Sequence, residues 1–518
     1  MEVSQEAEPF SLFDGFFVFA GFCLGALTLL AGLVLLLIEP HYGALVLGML
    51  GGAVAAVSIF GVAGSLAVLP VACSFFLMVR FDEGLALPLD EVIQIKHSYW
   101  FPLMALFLLF LWSRWQRDSS KPTLDAPRLS VPLVCFGLFG LLTILVNHLL
   151  DTHVPARELL GEFLALGIIV TPVLFALVLP TTMLSPFRTL LCLRCIVFFG
   201  GVAGLIMSMF GLLPSSVLGL LGWTGGTGGT VDLIRGRLPL GHPNTVAAVM
   251  LLLMPSAVIL GLGDRRALWR AMYLGCAGFM FCGTLFSLSR GALLCMTLTV
   301  GASLLYLWST WQGVRRLLGT FFIAVFGLAL VGVALYLFTQ RDFSRFWSRG
   351  FYEEASVERR MDSMTTALFV WKDHPLHGAG PDAVYPRLEL RPGWIPPLAD
   401  VISPIFFYEG HTTAETPHNF YLTVFAEFGL IGAAFFFWLL WRLFRRLWRA
   451  RRLPELTLPE RRLFTAVLLG LCAFLMIGMF EAVLMTSVRA NLVFWIFAGL
   501  ALRYARIKET GLTNRAEN

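Results

Sequence analysis

His418 and Asn419 stand at a boundary in the chain. Before them lies the mostly polar, arginine-bearing stretch 340–417, and after them a membrane-length apolar segment begins at Phe420. Imidazole titrates near neutral pH, so a histidine at a lipid–water boundary can take a proton from a hydroxyl group. That is equipment for reacting a lipid-carried substrate with something outside the membrane. Two other roles fit the same position: hydrogen bonding at a helix start, and metal ligation. The loop before His418 shows no His/Cys/Asp cluster at metal spacing, which counts against the metal.

Arg290 is a second candidate. It lies in Phe286-Ser287-Leu288-Ser289-Arg290-Gly291-Ala292, at the junction of two apolar runs. Small neighbours let its helix pack closely. A guanidinium binds phosphate oxygens with two parallel hydrogen bonds and stays charged. Snorkelling to lipid headgroups is the competing reading. Arg359 and Arg360 open a stretch in which Met361, Met364, Leu368 and Trp371 recur at three- and four-residue steps, which predicts an amphipathic helix. Asp373-His374-Pro375-Leu376-His377-Gly378-Ala379-Gly380 then reads as a turn. Gly241-His242-Pro243-Asn244 opens another apolar run, with Pro suited to a first helical turn and Asn244 to capping. The Gly-rich tract Gly222–Thr230 lacks the lysine and the strand–loop–helix frame of a phosphate loop, and reads as a flexible loop.

The elements that must position these residues are membrane helices. Apolar residues make up 58% of the 518 positions, charged ones 14%, and mean hydropathy is +0.79, which excludes a soluble domain. The first apolar run, 16–38, is long enough to span, and without an Arg-rich flank or a small-residue cleavage site it is expected to stay in the membrane. We read candidate spans at 16–38, 43–60, 62–79, 99–112, 130–149, 161–180, 195–213, 243–262, 271–288, 290–308, 318–339, 418–441, 463–482 and 490–503. The run 43–79 is too long for one helix and divides near Gly61. The fold class expected is an all-α polytopic membrane protein of about 12–14 helices with one large outer loop. The parts are N-terminal helices (1–194), central helices carrying Ser289-Arg290 (195–339), the large loop (340–417), and C-terminal helices with a tail (418–518). The cysteines, including Cys192-Leu193-Arg194-Cys195, lie in or beside apolar runs and read as helix-packing residues.

Charge sets the orientation. With both termini cytoplasmic, the inner loops hold most of the 38 lysines and arginines. The short outer loops hold only Arg80, Lys96, Arg157, Arg235, Arg237, Arg290 and Arg489. His418, Arg290 and the loop 340–417 then share the outer face, the periplasm in a bacterium. No ATP or nucleotide sugar is available there, so a reaction needs a donor activated beforehand and carried in lipid.

Four segments in register resemble the O-antigen ligase/polymerase superfamily of bacterial membrane glycosyltransferases. They are Gly241-His242-Pro243-Asn244, Ser289-Arg290-Gly291-Ala292, the turn Asp373–Gly380, and His418-Asn419 followed by Gly429-x-x-Gly432. The resemblance covers roughly 205–445. It implies a GT-C-like fold and metal-independent, inverting glycan transfer from undecaprenyl diphosphate to a periplasmic acceptor, without a cofactor, in the bacterial inner membrane. It also implies His418 as base, with Arg290 and Arg360, or its neighbour Arg359, on the donor diphosphate. Asn419, His242, Asn244 and Ser289 support the site. Ala433 follows Gly432, where lipopolysaccharide ligases usually carry Thr or Val, so ligase, polymerase and protein O-oligosaccharyltransferase stay open. The rival from another class is a polysaccharide or lipid transporter. It would show internal repeats or buried charged pairs in broken helices, and we find no repeat.

Overall fold

A computed structural model describes residues 42–76, 105–110, 127–150, 156–182, 184–212, 243–264, 266–287, 289–310, 354–381 and 417–516. The expected spans 16–38 and 318–339, the Gly-rich tract 222–230, His242 and most of the large loop 340–417 lie outside the described residues. Every described element is helical. They are α1 (Tyr42–Phe76), α2 (Pro127–Leu150), α3 (Ala156–Val178) with a short 3-10 turn (Leu179–Thr181), and α4 (Pro186–Leu212). Then come α5 (Pro243–Gly263), α6 (Ala267–Phe286), α7 (Arg290–Thr310) and α8 (Glu354–Asp373). The last four are α9 (Phe420–Arg451), α10 (Leu458–Ile477), the single turn α11 (Val483–Thr486) and α12 (Val488–Ala516). Seven of the described helices are long and apolar enough to cross a membrane.

Two helices form the centre. On α5, Val246 to Met254 is buried all round, and on α12 so is Leu492 to Ala498. A helix that is apolar on every side belongs in the interior of a bundle. Around them small residues allow close crossings. Gly470 of α10 faces the Leu252 carbonyl of α5, and Gly204 of α4 faces the backbone of Phe279 on α6, with no room for a Cβ at either. Cys192 and Cys195 are free thiols on α4. As expected, the run 43–79 breaks at Gly61, where φ is 70° inside α1.

The break that matters most lies in α9. Gly429 has φ 63° and ψ −170°, outside the helical region. An unbroken helix would bond Leu430 N to the Ala426 carbonyl and Ile431 N to that of Glu427. Instead the turn after α8 enters the gap. Ala379 N donates to the Ala426 carbonyl (2.8 Å) and Gly380 N to that of Glu427 (2.9 Å). Leu430 N donates to the Pro375 carbonyl (2.9 Å) and Ile431 N to that of Leu376 (3.2 Å). Two helical hydrogen bonds are thus exchanged for four. The fit requires glycine on both sides: Gly378 (φ 76°) and Gly429 each lie so close to the other segment that a Cβ on either would strike backbone. From α2, Thr143 Oγ1 donates to the His377 carbonyl (3.0 Å) and Asn147 Nδ2 to that of Gly378 (3.1 Å).

The helix predicted after Arg359 forms, as α8, but it buries a different face. Ser363, Thr366, Ala367 and Val370 are buried, whereas Leu368 is 45% exposed. Close approach to α9, where Ala367 and Val370 pack with Ala426, selects small side chains over large apolar ones. From the expected stripe, Trp371 makes a ring contact with Phe425 of α9.

Gly429→Ala should lower the melting temperature of the purified protein in detergent. Left-handed backbone costs a non-glycine residue about 1–2 kcal/mol before any clash is counted. Gly301→Ala on α7, with nothing within 4 Å of an added Cβ, should be nearly neutral. Equal melting of the two variants would contradict the lock.

Candidate active site

Helix α9 begins where its cap dictates. Asn419 is extended, and its side-chain oxygen accepts from Leu422 N (3.0 Å). The Asn419 amide also donates to the Met479 carbonyl (3.1 Å), and Phe420 N donates to that of Gly478 (2.7 Å). The start of α9 is therefore bound to the segment 478–482 that follows α10. Gly478 sits against Phe420, with little space for a Cβ.

This pairing brings Glu481 to His418. The carboxylate Oε2 is 3.1 Å from His418 Nδ1, and Asn244 Nδ2 donates to the other oxygen, Oε1. Glu481 is buried, 7% exposed. A buried carboxylate is costly unless it is hydrogen-bonded, and here both oxygens are engaged. An ionised carboxylate only accepts; with Glu481 in that form the shared proton lies on Nδ1, which leaves Nε2 as the basic nitrogen. An imidazole oriented through Nδ1 by an acid is the arrangement of a positioned general base.

The residues singled out in the sequence fall into three groups. His418, Asn419 and Asn244 meet at Glu481. Asn244, expected as a cap and as a supporting residue, donates to the carboxylate from the second residue of α5. Ser289, Arg290 and Gly291 reach the same place by another route. Ser289 precedes α7 and accepts from Ala292 N through Oγ (3.4 Å), while Gly291 lies against the ring of Phe480, the neighbour of Glu481. Arg290 is the first residue of α7. Arg359 and Arg360 lie near the start of α8. His242 lies outside the described residues.

Three helix N-termini, those of α5, α7 and α9, thus converge on the segment 478–481. Each carries roughly half a positive charge and outward-pointing N–H groups, which suits an anion. Glu481 was missed in the sequence, where it sits at the end of the apolar run 463–482. In the structure α10 ends earlier, at Ile477, and Glu481 lies in the connection. The available signal was a lone carboxylate in an otherwise apolar stretch.

Residues 275–437 match the family model described as O-antigen ligase. The match supports the O-antigen ligase superfamily resemblance of this chain. It spans Arg290, Arg360 and His418, while Asn244 and Glu481 lie beyond its ends. No curated relative matches the chain.

The juxtaposition of α7 with the Glu481 segment is directly testable. In a variant lacking the native cysteines, Gly291→Cys with Phe480→Cys should form a disulfide under mild oxidation, because a Cβ at 291 lies 3.0 Å from that of Phe480 and a small backbone shift brings the pair to the usual span of about 3.5–4.5 Å. Absence of the cross-link in folded protein would contradict the placement of Arg290 beside the site.

Proposed function

We propose that this protein transfers a glycan from undecaprenyl diphosphate to an acceptor hydroxyl at the periplasmic face of the bacterial inner membrane, as an O-antigen ligase or surface-polysaccharide polymerase. The observation that carries the reading is the Glu481–His418 pair at the mouth of α9. His418 Nε2 takes the acceptor proton. The acceptor oxygen attacks the anomeric carbon as the bond to the diphosphate breaks, and the centre inverts. Undecaprenyl diphosphate leaves as an anion, so the transition state gains negative charge at the phosphate.

That charge is met by Arg290 and Arg360, with the N-termini of α5, α7 and α9 behind them. Arg290 begins α7, beside the Glu481 segment; Arg360 comes from α8, which the Gly378–Gly429 lock fixes to α9. Its neighbour Arg359 could serve in its place. Neither metal nor cofactor has a part in this scheme. Glu481 is a positioning residue: it holds the imidazole tautomer and balances the imidazolium that forms. Both termini are cytoplasmic in this reading, on the strength of lysine and arginine placement. Protein O-glycosylation uses the same chemistry on a different acceptor.

His418→Ala should reduce transfer from purified lipid-linked donor to acceptor by about 10²–10⁴-fold, the usual contribution of a general base, with folding intact. Full activity would remove the base assignment. Arg290→Lys keeps the charge but loses the two-pronged contact, and should cost roughly tenfold to hundredfold. A normal rate for that variant would return Arg290 to headgroup snorkelling.

A further inference from the structure

The far end of α9 carries a second charged site, one full span away from His418. A cavity of about 280 Å³ opens there, lined by Arg442, Arg445, Arg446 and Arg449 of α9 and by Arg506 and Glu509 of α12. The four α9 arginines recur at steps of three, one and three, so they form one stripe along a helix. Like charges at this spacing repel, and Glu509 is the single carboxylate among the described lining residues. It binds Arg446, with Nη2 2.7 Å from Oε2. Arg506 Nη1 donates to the Pro180 carbonyl (3.2 Å). Five guanidinium groups against one carboxylate leave a formal charge of +4 around the cavity.

The rest of the wall is apolar, from Leu129, Leu177 and Leu502. Leu129 shares the face of α2 that carries Leu133 and Phe136 into the core, so the apolar side of the cavity is built by α2, α3 and α12 together. On α9 Trp441 and Trp448 are exposed beside the arginines, the position of an interfacial aromatic belt. A free polyanion has no use for an apolar wall and exposed tryptophans beside its site, whereas a lipid does.

We propose that this cavity is a binding site for an anionic phospholipid, with its phosphate in the arginine stripe and the start of an acyl chain against Leu129, Leu177 and Leu502. The site is independent of the glycosyl-transfer reading. Arginine forks match phosphate oxygens, and basic residues at a membrane surface add attraction of about fivefold each.

The test uses native mass spectrometry of the full-length protein released from mixed bilayers of phosphatidylglycerol and phosphatidylcholine. Phosphatidylglycerol should be retained selectively. In Arg442→Gln/Arg445→Gln/Arg449→Gln, which spares the Arg446–Glu509 pair, retention should fall by at least about tenfold. Lysine at the same three positions should restore part of it. Three results would each overturn the proposal: equal retention of both lipids by the wild type, unchanged retention by the glutamine variant, or displacement of phosphatidylglycerol by inorganic pyrophosphate. The last would make the ligand a soluble phosphate. The wild-type comparison decides the matter even if the variant does not fold.

Discussion

The interaction on which the rest depends is the mutual insertion of Gly378 and Gly429. A membrane-length helix is opened at one residue, and the turn of a preceding segment supplies the four hydrogen bonds that close it. Backbone groups left open within a bilayer would cost several kcal/mol each, so the helix can break only where something fills the break. Both glycines are demanded by geometry: each has left-handed φ, and each faces backbone where a Cβ would sit. The consequence is positional. Helix α8, which carries Arg359 and Arg360, cannot move independently of the half of α9 that begins with His418.

At that beginning a second set of backbone contacts takes over. The Asn419 cap and the Phe420–Gly478 hydrogen bond attach α9 to the connection after α10, and this delivers Glu481 to His418. Three helix N-termini face the same region, and one carboxylate sits among them. In the proposed reaction a proton leaves the acceptor on one side and negative charge gathers on a phosphate on the other; Glu481 would compensate the first, the helix ends and arginines the second.

Much of this was legible in the sequence, and the rest failed for specific reasons. The Gly-Pro-punctuated turn, the helix break at Gly61, and His418-Asn419 at a span boundary are local signals, and all three appear where expected. Glu481 was not legible: its partners are 63 and 237 residues away, and nothing local marks a carboxylate as buried beside a histidine. Asn244 looked like a cap because capping is what a local reading can see. On α8 the large apolar side chains suggested one face, but the close approach to α9 selects Ser363, Thr366 and Ala367 instead.

The central claim is that His418 and Glu481 act as one unit, with Glu481 working only through the imidazole. The measurement that tests it most directly is a double-mutant cycle on glycan transfer, using His418→Asn, Glu481→Gln and the pair, with donor binding measured alongside. Residues that act as a unit are strongly non-additive. The account predicts that, once His418 is gone, Glu481→Gln costs nothing further and donor binding is unchanged in all three proteins. Losses that multiply, with Glu481→Gln impairing the His418 variant as much as the wild type, would contradict it.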